Sequence, residues 1–201
     1  MSLATAGQIG PMDQGLPMTL EEFLQADFAE GYKYELIDGA LYVSPLPDPD
    51  ENHIERWLDW HLSSYSKRHP EVINFVSSKS RVFVPGRKKT TCPEPDLAAY
   101  EDYPLGVPLK DLRWQELLPV LTVEIMTGGR YKDLVRNVEL YLQVPSIREY
   151  WVVDIRKNPD KPTLIRHRRQ GKKWITHEFP YSSTFTTKLL PGFRLVIDPR
   201  K

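Results

Sequence analysis

The sequence predicts an α/β or α+β fold built on a mixed central β-sheet. Leu118–Met126 is a nearly continuous apolar run, and Glu149–Asp154 is a second one. Such runs are typical of strands that are buried on both faces. The stretch from Arg130 to about Leu142 lies between them and has helical periodicity. A strand–helix–strand order predicts a right-handed parallel crossover, and the β-prone runs from Thr163 onward predict antiparallel strands.

A β-hairpin is predicted closer to the N-terminus. The β-prone runs Tyr32–Ile37 and Ala40–Val43 flank Asp38-Gly39. This pair of residues tolerates the positive φ angles of a type I′ turn, so it favours a tight hairpin. Before the hairpin, Thr19 and Glu22 have the spacing of a capping box and predict a short helix.

Other elements follow from periodicity and from turn residues. Apolar residues recur at helical spacing between Glu51 and Arg68 and predict a long amphipathic helix. Short strands are predicted near Val72–Val76, Arg81–Val84 and Asp96–Tyr100. Turns are expected at Gln170-Gly171 and Pro191-Gly192.

The bulk composition predicts one soluble domain of ordinary size. With 201 residues, the chain is long enough for one hydrophobic core. Residues 1–17 are small, polar and aperiodic, so a disordered leader is expected there and a single domain over 18–201. The sequence has no apolar stretch near the ~20 residues of a membrane span and no secretory signal pattern. Its single cysteine excludes an internal disulfide, so we expect a cytoplasmic protein without a membrane.

The charge is balanced overall but unevenly distributed. The formal net charge is +0, so bulk electrostatics do not indicate a nucleic-acid partner. Basic residues concentrate in Lys67–Lys89 and Arg156–Lys173. These tracts could neutralise phosphates or could form solvated hairpin surfaces, and both interpretations stay open.

Glu124 is the most informative single residue, because it interrupts an otherwise apolar predicted strand. An unpaired carboxylate buried there would cost several kcal/mol or become protonated. A metal, a cation or a set of hydrogen-bond donors would stabilise it. Alternatively, Glu124 lies at an exposed strand end and pairs with an arginine.

Asp96 follows two prolines and opens the short apolar strand. Two carboxylates at the ends of adjacent strands supply the hard oxygen ligands that Mg²⁺ or Mn²⁺ prefers. The carbonyl of Ile125 is the expected third ligand. Asp96 and Glu124 together therefore predict a divalent-metal site.

Several motifs in this order resemble the Uma2 family, whose members are endonuclease-like proteins of the PD-(D/E)XK superfamily. The resemblance extends from about Thr19 to Pro191. It is carried by the following segments, in chain order: Tyr34-Glu35-Leu36-Ile37-Asp38-Gly39, His53, Pro95-Asp96, Val123-Glu124-Ile125, Asp133, Tyr141 and Glu149-Tyr150-Trp151-Val152-Val153-Asp154. Their order and spacing together are specific, although no single motif is.

The resemblance implies a restriction-endonuclease-like fold, in which helices flank a mixed sheet. It also implies a homodimeric, Mg²⁺- or Mn²⁺-dependent endonuclease that cleaves DNA. Asp96 and Glu124 would be metal ligands, Glu35 would be an additional acid near the metal, and His53 would lie close by. Without the resemblance, Glu35 is equally well explained as a solvent-facing acid of the hairpin, and a histidine in the position of His53 is more often structural or on the surface.

The chain departs from the superfamily pattern at the motif lysine. Two residues after Glu124, where that lysine normally lies, stands Met126. In Uma2-like sequences the lysine usually lies on the following helix, and the matching position is Asn137. An asparagine carries no positive charge, and losing such a contact can cost on the order of 10²–10³ in rate. Arg130 has the best position around the predicted helix to replace it, ahead of Lys132 and Arg136.

Three functions therefore remain open from the sequence. The first is a metal-dependent DNA endonuclease. The second is a catalytically weakened nuclease fold that binds nucleic acid or a partner without cleaving, which Asn137 favours. The third is a domain without a nucleic-acid role, which the neutral charge permits.

Overall fold

The computed structural model describes residues 8–127 and 131–201, without the side chains of 131–134. The helices are α1 (Leu20–Gln25), α2 (Pro49–Arg68) and α3 (Tyr131–Leu142). The strands are β1 (Tyr32–Ile37), β2 (Ala40–Pro45), β3 (Phe75–Ser77), β4 (Leu97–Tyr100), β5 (Leu121–Met126), β6 (Glu149–Asp154), β7 (Thr163–Gln170), β8 (Lys173–Phe179), β9 (Thr184–Thr186) and β10 (Arg194–Val196). Short 3₁₀ helices span Pro11–Asp13, Leu109–Asp111 and Trp114–Glu116.

Six strands form the central sheet, in the order β3-β4-β5-β6-β7-β8. β5 and β6 pair in parallel, and the other neighbours in this sheet are antiparallel. The predicted mixed sheet is therefore confirmed, with α3 connecting its parallel pair. The hairpins β1–β2 and β9–β10 lie outside this sheet as two-stranded sheets.

The two faces of the sheet are covered by different helices. Alternate residues of β5, such as Val123 and Ile125, pack in one apolar cluster with Ile54 and Leu58 of α2. Met126 packs in a second cluster together with residues of α3 and β6. Glu124 therefore points toward the α3 side, since neighbouring strand residues alternate between faces. None of the helices within the described residues has the length and apolarity needed to cross a bilayer.

The hairpin turn forms as the sequence predicts. Asp38 and Gly39 have φ angles of 51° and 69°, which is the left-handed backbone of a type I′ turn. The register pairs Ile37 with Ala40 and Tyr34 with Val43. This pairing holds Lys33 and Glu35 on one face of β1, because they are two residues apart.

The segment before α1 belongs to the leader expected over residues 1–17, of which residues 1–7 lie outside the described part of the chain. Residues 8–17 run along the hairpin, and Pro17 forms a β-bridge with Ala40. The backbone N–H of Gly15 donates to the carbonyl of Leu41 at 2.8 Å, and the N–H of Leu41 donates to Leu16 at 2.8 Å. Backbone hydrogen bonds to a strand edge need no apolar periodicity, which explains why composition alone suggested disorder.

Three of the predicted strands also differ from expectation. β3 begins at Phe75, later than the predicted Val72. Residues 81–84 are not a strand, although Val82 and Val84 donate backbone hydrogen bonds to Pro93 and Thr91, each at 2.9 Å. β5 begins at Leu121 instead of Leu118. Pro119 lies between these two residues and has no N–H to donate to a sheet.

Candidate functional site

Asp96 and Glu124 lie together, at the neighbouring ends of β4 and β5. The register pairs Leu97 with Val123, so the next position of each strand brings Asp96 opposite Glu124. Both residues are 7% exposed. The structure thus brings together the two acids that the sequence predicts as a pair.

Asp96 is fixed by two contacts of different kinds. Its Oδ2 atom accepts a hydrogen bond from the backbone N–H of Ile125 at 2.7 Å, which ties the end of β4 to β5. Its Oδ1 atom lies 3.3 Å from Nζ of Lys33 in an ion pair. Sequence reasoning did not identify Lys33 as part of the site.

Glu124 accepts two hydrogen bonds from α3 through one oxygen. Nδ2 of Asn137 donates to Oε1 at 2.9 Å, and the hydroxyl of Tyr141 donates to the same atom at 2.8 Å. Burial raises the pKa of Glu124 well above its usual value, and the negative charge of Asp96 raises it further. Asn137, 4% exposed, thus lies in the site as expected and donates to the carboxylate.

Glu35 approaches the same acids from β1. Its Oε1 atom accepts a hydrogen bond from the backbone N–H of Glu94 at 2.7 Å, and its side chain is 13% exposed. This hydrogen bond holds Glu35 near Asp96, because Glu94 is only two residues from Asp96 in the chain. The half-buried position also differs from the ordinary exposed glutamate of a hairpin.

Lys33 is a lysine held among acids. Its side chain is 16% exposed. Burial lowers the pKa of Lys33, but Asp96, Glu124 and other neighbouring carboxylates raise it more, so the net shift is upward and the ammonium stays charged. The signal in the sequence was the period-two spacing of Lys33 and Glu35, which predicts one shared face.

Of the basic residues considered as replacements for the motif lysine, Arg136 is the one whose side chain the structure describes. It reaches Glu35 although it lies about 100° around the helix from Asn137. Its guanidinium lies 3.8 Å from Oε2 of Glu35 and 4.5 Å from the ring centroid of Tyr42. Arg130 and the side chain of Lys132, the other candidates for the missing charge, lie outside the described residues.

His53 is not part of this group. Its Nε2 atom lies 3.2 Å from the carbonyl oxygen of Pro199, and the residue lines cavities on the far side of α2. Glu51 and Glu55 instead face Asp96 from α2. Two residues along a helix are separated by roughly 200°, so His53 points away from the face that carries these two glutamates.

A cavity of about 240 Å³ opens beside Asp96. Its charged lining residues are the acids Glu51, Glu55, Glu94 and Asp96 and the bases Lys33, Lys79 and Arg81. Burial raises the pKa of Glu94 to about 7, against the opposing effects of Lys33 and Arg81. The cavity thus mixes carboxyl groups and cations, and Asp96 is the member that adjoins Glu124.

The donor chemistry of this site fits a hard divalent cation. Mg²⁺ is commonly bound by one or two carboxylates, with waters and substrate phosphates completing its coordination. Asp96 and Glu124 supply such carboxylates. No group of three His, Cys, Asp or Glu residues within the described part of the chain is arranged to hold a metal. A cation here would therefore depend on the two carboxylates, a backbone carbonyl and oxygens from outside the protein.

The basic tract 156–173 is partly structural. The guanidinium of Arg169 donates to the carbonyls of Tyr141, Leu142 and Val144 at 3.0, 2.9 and 2.8 Å, and to Ile147 at 2.6 Å. These carbonyls lie at and beyond the end of α3, where helical partners are absent. Arg169 thus stabilises the end of the helix that carries Asn137 and Tyr141.

Comparison with known proteins gives a family and a similar fold. The family model Uma2, described as "Putative restriction endonuclease", matches residues 20–198. The chain is also similar to the crystal structure of a "putative nuclease belonging to DUF820" from Anabaena variabilis, with a TM-score of 0.67 and 19% sequence identity over 90% of this chain and 96% of that one. No curated protein gives a significant match. Because the family model covers nearly all of the described chain, the chain belongs to the Uma2 family.

Proposed function

We propose that this protein is a metal-dependent endonuclease that hydrolyses phosphodiester bonds of DNA. The observation that carries the proposal is the pair of buried carboxylates, Asp96 and Glu124, at adjacent strand ends beside an acid-rich cavity. A fold retains such a pair at a cost, since each carboxylate raises the energy of the other. An acid with a perturbed pKa that lies in a cleft beside a charged partner, as Glu124 does, is a candidate for a catalytic site.

In this proposal Asp96, Glu124 and the carbonyl of Ile125 would hold Mg²⁺ or Mn²⁺. The bound cation would supply positive charge for the attacking water and for the phosphate. Asn137 and Tyr141 orient Glu124, and the N–H of Ile125 orients Asp96. These contacts fix both carboxylates before a substrate arrives, so little reorganisation is needed during the reaction.

The reaction forms one bond and breaks another at phosphorus. The oxygen of a water bonds to phosphorus, and the bond to the leaving ester oxygen breaks with its electron pair staying on that oxygen. The water releases one proton to solvent, and the leaving oxygen takes one from solvent. Glu35, near the carboxylate pair, adds negative charge that favours a divalent over a monovalent cation.

Plasmid cleavage tests this function directly. Supercoiled plasmid is incubated with the protein and Mn²⁺, and nicked and linear products are quantified. Asp96→Asn is expected to reduce cleavage by at least a factor on the order of 10². The matched control is Asp198→Asn, since Asp198 is also buried, at 4% exposed, but lies near the C-terminus. Equal cleavage by wild type and Asp96→Asn would contradict the proposal.

A second function has one observation in its favour, the asparagine at the position of the motif lysine. Asn137 donates to Glu124 but brings no charge to it. A weakened nuclease that binds DNA without cleaving would retain the fold and the cavity. Gel-shift binding of plasmid fragments by wild type, with cleavage seen only in Asn137→Lys, would establish this alternative.

The proposed function also includes a homodimeric assembly. Two strands of DNA need two cuts, which supports a homodimer that presents two sites. Light scattering of the purified protein would show twice the monomer mass of 23.4 kDa. A monomer that linearises plasmid in a single event would contradict the dimer without affecting the site.

A further inference from the structure

Lys33 combines an ion pair with Asp96, a place in the cavity lining and a largely buried side chain. Its ammonium pairs with Asp96 at 3.3 Å, it lines the cavity beside the carboxylate pair, and it is 16% exposed. Burying a lysine is costly unless nearby charges compensate, so the surrounding acids hold it in place. The neighbouring residues Tyr32 and Tyr34 also line the cavity.

The other cations described near the carboxylates contact groups other than Asp96, and Nε of Arg136 donates to Oδ1 of Asn137 at 3.4 Å. Arg136 lies against Glu35 and the ring of Tyr42. Arg81 is 3.9 Å from Glu94. Within the described part of the chain, Lys33 is the cation in an ion pair with Asp96.

We infer that Lys33 supplies from β1 the positive charge that Asn137 does not supply from α3. This inference rests on the proposed nuclease function. With Asp96 engaged as a ligand of a divalent cation, the ammonium of Lys33 would turn toward the cavity and would donate a hydrogen bond to a non-bridging phosphate oxygen. Lys33 keeps its proton throughout, and it stabilises the negative charge that grows on that oxygen as water attacks.

The ion pair gives this role a distinctive signature. Lys33 and a divalent cation compete for the same carboxylate, so removing the lysine should tighten metal binding. The same change should slow cleavage, because the charge at the phosphate is lost. A lysine with a purely structural role would instead weaken both, since an uncompensated Asp96 would disturb the site.

The test measures cleavage and Mn²⁺ binding separately. Lys33→Met is expected to cleave plasmid on the order of 10²-fold more slowly and to bind Mn²⁺ more tightly by calorimetry. The double variant Lys33→Met with Asn137→Lys should recover at least about tenfold of that loss, because it returns a lysine from the α3 side. Lys33→Arg, which keeps the charge, should retain most of the wild-type cleavage.

Several outcomes would overturn the inference. Cleavage by Lys33→Met within threefold of wild type would do so, and so would weaker Mn²⁺ binding together with no rescue in the double variant. If Lys33→Met does not fold, Lys33→Arg decides the question, because a folded but inactive Lys33→Arg contradicts the role. Lys88→Met, at a lysine on the 85–90 turn away from Asp96, is the matched control.

Failure of the proposed function is distinguishable from failure of this inference. If wild type binds Mn²⁺ but only Asn137→Lys cleaves, then the site is a nuclease site in which Lys33 does not replace the motif lysine. If neither protein cleaves and neither binds Mn²⁺, the nuclease function itself is wrong.

Discussion

Two buried glutamates on the parallel strands β5 and β6 have different surroundings. Glu124 is 7% exposed and Glu149 is 1% exposed, and burial raises the pKa of both carboxyl groups. Glu149 accepts hydrogen bonds from the hydroxyl of Thr187 at 2.6 Å and from the indole N–H of Trp151 at 2.8 Å. One neutral donor therefore serves each of its oxygens.

Glu124 also receives two neutral donors, but both reach the same oxygen. Its second largest influence, after burial, is the negative charge of Asp96. The register pairs Glu149 with Leu121 at the start of β5, whereas Glu124 lies toward the carboxyl end of that strand. Burial alone therefore does not distinguish the two glutamates. What distinguishes Glu124 is the neighbouring Asp96 and, among the described residues, the placement of both donors on one carboxylate oxygen.

The largest expected difference between the two residues is in cleavage. Glu124→Gln should reduce Mn²⁺-dependent plasmid cleavage by a factor on the order of 10²–10³, because it removes one of the two carboxylates that are proposed to hold the metal. Glu149→Gln, the matched control, should stay within about threefold of wild type. A comparable loss in both variants would mean that the two carboxylates have the same role.

The next largest effect concerns Glu94, a partly buried acid that lines the cavity beside Asp96. Its pKa is raised from 4.5 to about 7, so the folded state binds its proton more tightly than the unfolded state. This stabilisation is complete below pH 4.5 and is lost as the pH rises through 7, which should lower the free energy of unfolding by about 3 kcal/mol. Denaturant unfolding in EDTA from pH 4 to 8 measures it.

Glu94→Gln should remove that part of the pH dependence. Glu178→Gln, at an exposed glutamate of β8, should leave it intact. A pH profile that is the same in wild type and Glu94→Gln would contradict the raised pKa.

Hydroxyl deletions should destabilise the protein at both glutamates and separate them by activity. Tyr141→Phe and Thr187→Val each remove one hydrogen bond to a buried carboxylate, which should lower the free energy of unfolding by about 1–3 kcal/mol. Thr187→Val should cost more, because its Oγ1 atom also accepts a hydrogen bond from the N–H of Leu189 at 3.1 Å. Only Tyr141→Phe should also slow cleavage, by about tenfold, because it loosens a carboxylate that is proposed to hold the metal. Cleavage that slows in Thr187→Val would place Glu149 in the site as well.

The smallest expected effect is on stability: substituting the two glutamates by glutamine should change the free energy of unfolding in opposite directions. At a pH above the raised pKa of Glu124, Glu124→Gln should raise the free energy of unfolding by about 1 kcal/mol, since an amide oxygen can accept both donors without repelling Asp96. Glu149→Gln should lower it by about 1 kcal/mol, because an amide group can no longer accept from both Thr187 and Trp151. Thermal unfolding in EDTA measures both changes.

The fold was predictable because its signals are local. The Asp38-Gly39 turn, the apolar runs of β5 and β6 and the capping box at Thr19 each depend on residues close together in the chain. Such signals do not depend on what packs against them. The strand expected over 81–84 is the informative exception, because its hydrogen bonds go to a loop and form no regular ladder.

The candidate site was predictable only in part. Asp96 and Glu124 were expected together, and the register of β4 and β5 places them so. The roles of Glu35, Asn137, Ile125 and Arg130 stay predictions. The resemblance implied that His53 lies close to the metal, but it does not specify which face of α2 carries this histidine. In the structure, His53 lies against the carbonyl of Pro199.

By itself, the sequence determined most secondary-structure elements of this protein, its family and the pair of carboxylates. Strand periodicity and turn chemistry depend on only a few neighbouring residues. Only the tertiary structure decided which cation joins that pair. Lys33 and Asp96 are 63 residues apart, and no pattern within either segment refers to the other. Their contact exists because the β1–β2 hairpin packs beside the ends of β4 and β5, where burial strengthens the attraction between opposite charges.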